Sequence, residues 1–102
     1  MKNVPLKNWL KKIKNYYKTV RWLRENNVKG EVEMDKEFYD FLSKLTNVIL
    51  LAPLDYLIIY WGLYCQGCTY EKLVDITGYS KRKLYRLHKN FQNYLSSYFN
   101  FT

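Results

Sequence analysis

Gly78-Tyr79-Ser80-Lys81-Arg82-Lys83-Leu84-Tyr85-Arg86-Leu87-His88-Lys89 reads as a turn that feeds a helix with cations on its outer face. Ser80 is a good N-cap, because its hydroxyl can accept a backbone N–H of the first turn. Lys81, Arg82 and Lys83 follow at once. That placement is locally unfavourable: a helix N-terminus carries about half a positive charge, so a cation there costs about 0.3–1 kcal/mol. Three in a row point to an anion outside the helix. A recognition helix in the DNA major groove meets such an anion with its N-terminal end.

Downstream, Leu84, Leu87, Phe91, Tyr94, Leu95 and Tyr98 share one face of this helix. Upstream, Thr69 caps a short helix carrying Leu73, Val74 and Ile76, and Gly67 ends the helix before it. That earlier helix is expected from Pro53 to about Cys65, apolar nearly all round and therefore central. Asp35 is placed to cap a further helix with Phe38, Phe41, Leu42, Leu45, Val48 and Ile49 inward. The first helix begins near Pro5 and builds an apolar face from Leu6, Trp9, Leu10, Ile13, Tyr16, Tyr17, Val20 and Leu23. Lys7, Lys11, Lys14, Lys18 and Arg21 run down its flank, Trp22 falls on its polar side, and Asn26, Asn27 and Gly30 end it. No alternating apolar run is long enough for a strand, so the fold class is all-α.

A chain of 102 residues is one small domain, or a domain with an arm, and buries about two-thirds of its unfolded surface. Aromatics at 19 %, with eleven Tyr, argue against disorder. The net charge of +8 is unevenly spread: +8 over residues 1–29, −5 over 30–79 and +5 over 80–102. A basic chain with clustered cations has the electrostatic footprint of a nucleic-acid binder. Acidic membranes or proteins would suit the charge as well.

Val48 to Cys65 is apolar apart from Asp55, but Pro53 interrupts it. Two buried helices meeting near Ala52 are expected there, not a membrane span. Lysines break the first apolar stretch, so no signal peptide is expected, and the chain reads as soluble and cytoplasmic with no membrane partner.

Leu57-Ile58-Ile59-Tyr60-Trp61-Gly62-Leu63-Tyr64-Cys65-Gln66-Gly67-Cys68-Thr69-Tyr70-Glu71-Lys72-Leu73 and the turn and helix after it resemble a known unit. That unit is the C-terminal, promoter-reading (region 4) domain of bacterial sigma factors. Tyr64, Gly67, Thr69, Tyr70 and Glu71 match its first half, and Gly78, Ser80, Leu84, Tyr85, Arg86, Leu87 and His88 match its turn and recognition helix. The Tyr79 to His88 segment is most similar to small phage- and prophage-encoded transcription regulators. Leu63, Gln66, Gly62, Val74 and Thr77 depart from the pattern, and Gly62 with Val74 can be read as a paired exchange of volume.

The resemblance implies a sigma-region-4-like helix-turn-helix domain over 53–102, with an N-terminal helical segment over 1–52 packed on it. It implies a sequence-specific DNA-binding regulator of phage or prophage genes, acting in a bacterial host. Helical phase then assigns roles. With Leu84, Leu87 and Phe91 inward, Arg82, Arg86, Lys89 and Asn93 lie opposite, flanked by Lys83 and Tyr85. Arg82 and Arg86 are expected to read bases, since Arg can fork onto the two acceptors of guanine. Lys83 and Tyr85 can join them, while Thr69, Tyr70, Ser80, Lys81 and Lys89 are expected at phosphates.

A homodimer is expected, because such proteins pair to read two half-sites. The apolar faces of the first helix and of the tail (Tyr94, Tyr98, Phe99, Phe101) are candidate interfaces. A different class of function remains open: a module that mimics a sigma-factor domain and binds bacterial RNA polymerase without reading DNA. Structured RNA is a third partner that the basic ends permit.

No enzymatic activity is expected, since the acids of the middle segment pair with no nucleophile or base. Cys65 and Cys68 have Cys-x-x-Cys spacing but no second pair of zinc ligands, and read as reduced, packed thiols with no metal and no cofactor. His88, the one histidine, is expected in packing or at a phosphate.

Overall fold

The computed structural model describes residues 5–99. Phe101, part of the expected aromatic tail, lies outside them. The described chain is helical without strands: α1 Leu6–Glu25, α2 Lys36–Leu50, α3 Leu54–Ile59 continued by a π-helical segment Tyr60–Cys65, α4 Tyr70–Thr77 and α5 Lys81–Tyr98. This is the expected all-α class, with each boundary near its punctuating residue. Pro5 and Pro53 precede α1 and α3. Asp35 accepts the N–H of Phe38 at 2.8 Å, Thr69 that of Lys72 at 3.1 Å and Ser80 that of Lys83 at 3.1 Å.

One buried cluster draws on all five helices. Trp9 of α1 stacks on Phe41 of α2 at 4.8 Å, and Phe99 returns to that ring at 5.0 Å. Phe91, fully buried on α5, meets the rings of Tyr56, Tyr60 and Tyr64 from α3 at about 6 Å. The Tyr94 hydroxyl donates to the Val48 carbonyl at 3.2 Å, tying α5 to the end of α2.

Packing departs from the expected pattern at particular places. The chain from Tyr60 to Cys65 is a π-helix, with Gln66 N–H bonding back to Trp61 O at 2.8 Å. Five of its six residues are buried, because α1, α4 and α5 all press on it. The helix is not apolar-in all round: Leu54 and Trp61 are exposed, as are Leu50 and Leu51 at the α2–α3 junction, where the chain turns outward. Ile76 is 63 % exposed, because only Leu73 of α4 reaches the core fully, and Tyr98 is exposed at the last residue of α5. Of the expected interface on α1, Trp9, Leu10 and Ile13 are buried against the rest of the chain, and Phe99 of the tail is buried too, while Leu6, Tyr16, Tyr17, Val20 and Leu23 are half-buried.

Gly62 has a direct packing reason. A Cβ there would come within 2.5 Å of Leu73 Cδ2, so the missing side chain lets α4 close on α3. The three atoms nearest that Cβ all belong to Leu73, the residue before Val74.

Candidate nucleic-acid interface

The connection from α4 to α5 is three residues long, Gly78-Tyr79-Ser80. Gly78 ends α4 at φ 75°, in the left-handed region that a Cβ disfavours. Thr77 Oγ1 donates to Leu73 O at 2.7 Å and accepts the Tyr79 N–H at 3.1 Å, so its hydroxyl stitches the turn. Tyr79 donates its hydroxyl to Asp55 Oδ1 at 2.9 Å, fixing the turn to the start of α3. That bond, together with the Asp55 charge, pushes the Tyr79 phenol up.

Helix α5 thus emerges from a braced turn with Leu84, Leu87, Phe91 and Leu95 buried beneath it. Its opposite face carries Arg82, Arg86 and Lys89, all exposed and without a partner among the described residues. The other two cations have company. Lys81 Nζ lies 2.6 Å from Glu71 Oε1, and Lys83 Nζ sits 3.8 Å from the centre of the Tyr79 ring. The hydrogen bond and charge of Lys81 hold the Glu71 carboxyl below the usual carboxylate range. Both members of that pair are exposed, so solvent and salt screen it and a phosphate can compete for the lysine.

Tyr85 is exposed and leans on Tyr70, ring centres 4.4 Å apart. The Tyr70 hydroxyl bonds His88 Nδ1, and the Tyr64 hydroxyl lies 2.6 Å from His88 Nε2. A neutral imidazole has one N–H, so one tyrosine donates to the bare nitrogen and the other accepts. Burial, then the nearby Lys14 charge, pull the His88 pKa down, which matches that neutral state. Burial pushes the Tyr64 phenol up to about 12, so it too stays neutral. His88 is therefore a joint between α3, α4 and α5, and Tyr70 spends its hydroxyl there.

The structure gathers Arg82, Lys83, Tyr85, Arg86, Ser80, Lys81 and Lys89 on α5 and its cap, with Thr69 and Tyr70 at the start of the neighbouring α4. Sequence reasoning missed the roles of Tyr79 and Thr77 in bracing the turn. Their signal was faint, a tyrosine and a threonine flanking Gly78. It also missed Arg21, whose Nη1 donates to the Cys65 carbonyl at the end of the π segment. Gly67, at φ 67°, has no side chain to block that guanidinium: a Cβ there would lie 2.5 Å from Arg21 Nη2.

Cys65 is buried and Cys68 half-buried, both as free thiols. Burial pushes the Cys65 thiol up, against hydrogen bonds with Tyr60 and Tyr17 that lower it. Among the described residues there is no group of His, Cys, Asp and Glu that could hold a metal ion, and no helix long and apolar enough to cross a membrane.

No family model matches this chain, and neither a curated protein nor a solved structure matches it.

Proposed function

We propose that the chain is a sequence-specific DNA-binding transcription regulator, of the phage or prophage kind its α3–α5 sequence resembles, that enters the major groove with α5. The observation that carries this reading is the state of Arg82, Arg86 and Lys89: exposed, without a partner among the described residues, and mounted on a helix anchored from behind by Leu84, Leu87 and Phe91. In this reading Arg82 and Arg86 read bases, with Lys83 and Tyr85 beside them. Thr69, Ser80, Lys81 and Lys89 hold phosphates and set register. Tyr70 supports Tyr85 from behind. Two copies read two half-sites.

The test is selection of the purified protein on random-sequence duplex pools at physiological salt. Recovery of one motif, as an inverted repeat, is the expected result. Weak, salt-sensitive retention without a motif would overturn it. The polymerase-binding reading, in which the same domain touches RNA polymerase and no DNA, would then lead.

A further inference from the structure

Lys7, Lys11 and Lys14 recur at four- and three-residue spacing, so they share one face of α1. That face looks onto α5. The three lysines, with His88 and Gln92 from α5 and a floor of Leu10 and Tyr64, line an open groove of about 220 Å³. No carboxylate is among the described residues that line it.

The groove is built, not incidental. Lys14 Nζ lies 5.0 Å from the centre of the Tyr64 ring, and the Tyr64 hydroxyl is held by His88. His88 has both ring nitrogens engaged by tyrosine hydroxyls, and Gln92 Nε2 approaches Nε2 at 3.4 Å. What faces a ligand is the ammonium groups of Lys7 and Lys11, with that of Lys14 beside them at the Tyr64 ring. Mutual repulsion among the ammoniums is relieved by an oxyanion between them.

Its position follows from helical phase. At about 100° per residue, Arg82 and Arg86 are followed around α5 by Lys89, Tyr85, Gln92 and His88. Lys89 and Gln92 are three residues apart and therefore neighbours on the surface. The groove opens beside the outward face of α5, on the flank that Lys89 borders.

We propose that this groove seats a backbone phosphate of the DNA strand bordering the major groove, and that α1 is thereby a second phosphate-holding element that sets the angle of α5. The inference rests on the reading of α5 as the groove-entering helix. The partner is duplex DNA, recognised here by its phosphate alone and not by sequence.

The experiment is duplex binding by fluorescence anisotropy across a salt series, on the selected sequence and on a random duplex. The wild-type chain is compared with K7Q/K11Q/K14Q, with R82A/R86A and with K12Q. Lys12 lies on the opposite side of α1, its ammonium 5.0 Å from the Trp9 ring. Loss of each groove lysine that holds a phosphate is expected to flatten the slope of log K against log salt by about 0.9. The triple variant should weaken both duplexes alike and keep the sequence preference. K12Q should leave the slope in place.

If the triple variant retains wild-type slope and affinity, the groove inference fails and the reading of α5 stands. An equal drop in K12Q would overturn it too, since net charge and not the groove would then be acting. Failure of the wild-type chain to bind any duplex removes both readings. Circular dichroism of the triple variant guards against a folding artefact: the three lysines are exposed, so native helicity is expected.

Discussion

Helices α1 and α5 are both basic, both amphipathic and both about the same length, yet their cations are used differently. On α1, Arg21 caps the Cys65 carbonyl of another helix, while Lys7, Lys11 and Lys14 line the groove beside α5. On α5, Lys81 and Lys83 have partners near the turn, while Arg82, Arg86 and Lys89 have none among the described residues. Charge pattern alone does not separate a cation that holds a fold together from one that waits for a ligand. What separates them is whether another element of the chain comes within reach.

The largest effect is expected where α5 has no spare surface. Phe91 is fully buried under three tyrosines of α3. Phe91→Ala should cost about 3–5 kcal/mol of stability, read by urea unfolding. A loss below about 1 kcal/mol would mean that the core face is not what anchors this helix.

The outward face should behave in the opposite way. Arg82→Ala and Arg86→Ala are each expected to leave the unfolding midpoint in place and to remove about 1–3 kcal/mol of discrimination between the selected sequence and a random duplex. Equal weakening on both duplexes would move these arginines from bases to phosphates.

Arg21→Ala sharpens the contrast from the side of α1. Its guanidinium sits at the C-terminal end of the α3 π segment, where a cation favours the helix dipole and satisfies a carbonyl. The expected loss is about 1 kcal/mol of stability, with the salt dependence of DNA binding changed less than in K7Q/K11Q/K14Q. A flattened salt slope with unchanged stability would place Arg21 among the ligand-facing cations instead.

The smallest effect is on pH. His88 is held below its ordinary pKa by burial and by Lys14, and the groups facing it are Tyr64, Tyr70, Gln92 and the lysines of α1. The unfolded chain therefore takes up a proton near pH 6.5, as an unperturbed histidine does, while the folded chain resists. This contribution is intact above about pH 6.5 and is lost as pH falls toward the lower folded value. The urea midpoint should drop between about pH 7.5 and 5.5, and His88→Gln should drop less.

Local chemistry wrote much of this molecule into the sequence. Asp35, Thr69 and Ser80 cap their helices as hydroxyl and carboxylate oxygens do, and Gly67 and Gly78 adopt the left-handed conformations that end helices. The periodicity of Leu84, Leu87, Phe91 and Leu95 fixed which way α5 faces, and so which cations point outward. These features depend on neighbours within a turn or two, and such neighbours are visible in one dimension.

Tertiary structure decided what the local code leaves open. Nothing in the run from Tyr60 to Cys65 announces a π-helix; the segment takes that form where Leu73 of α4 packs on Gly62 and Arg21 of α1 meets the Cys65 carbonyl. Of the apolar residues that α4 carries, Leu73 is buried and Ile76 is exposed, and packing alone divides them. The basic stripe of α1 was legible as a stripe, but its division into a capping arginine and a lysine-lined groove came from the approach of α3 and α5. Whether a charge is spent on the fold or left for a partner depends on distances across the chain, and only packing sets those.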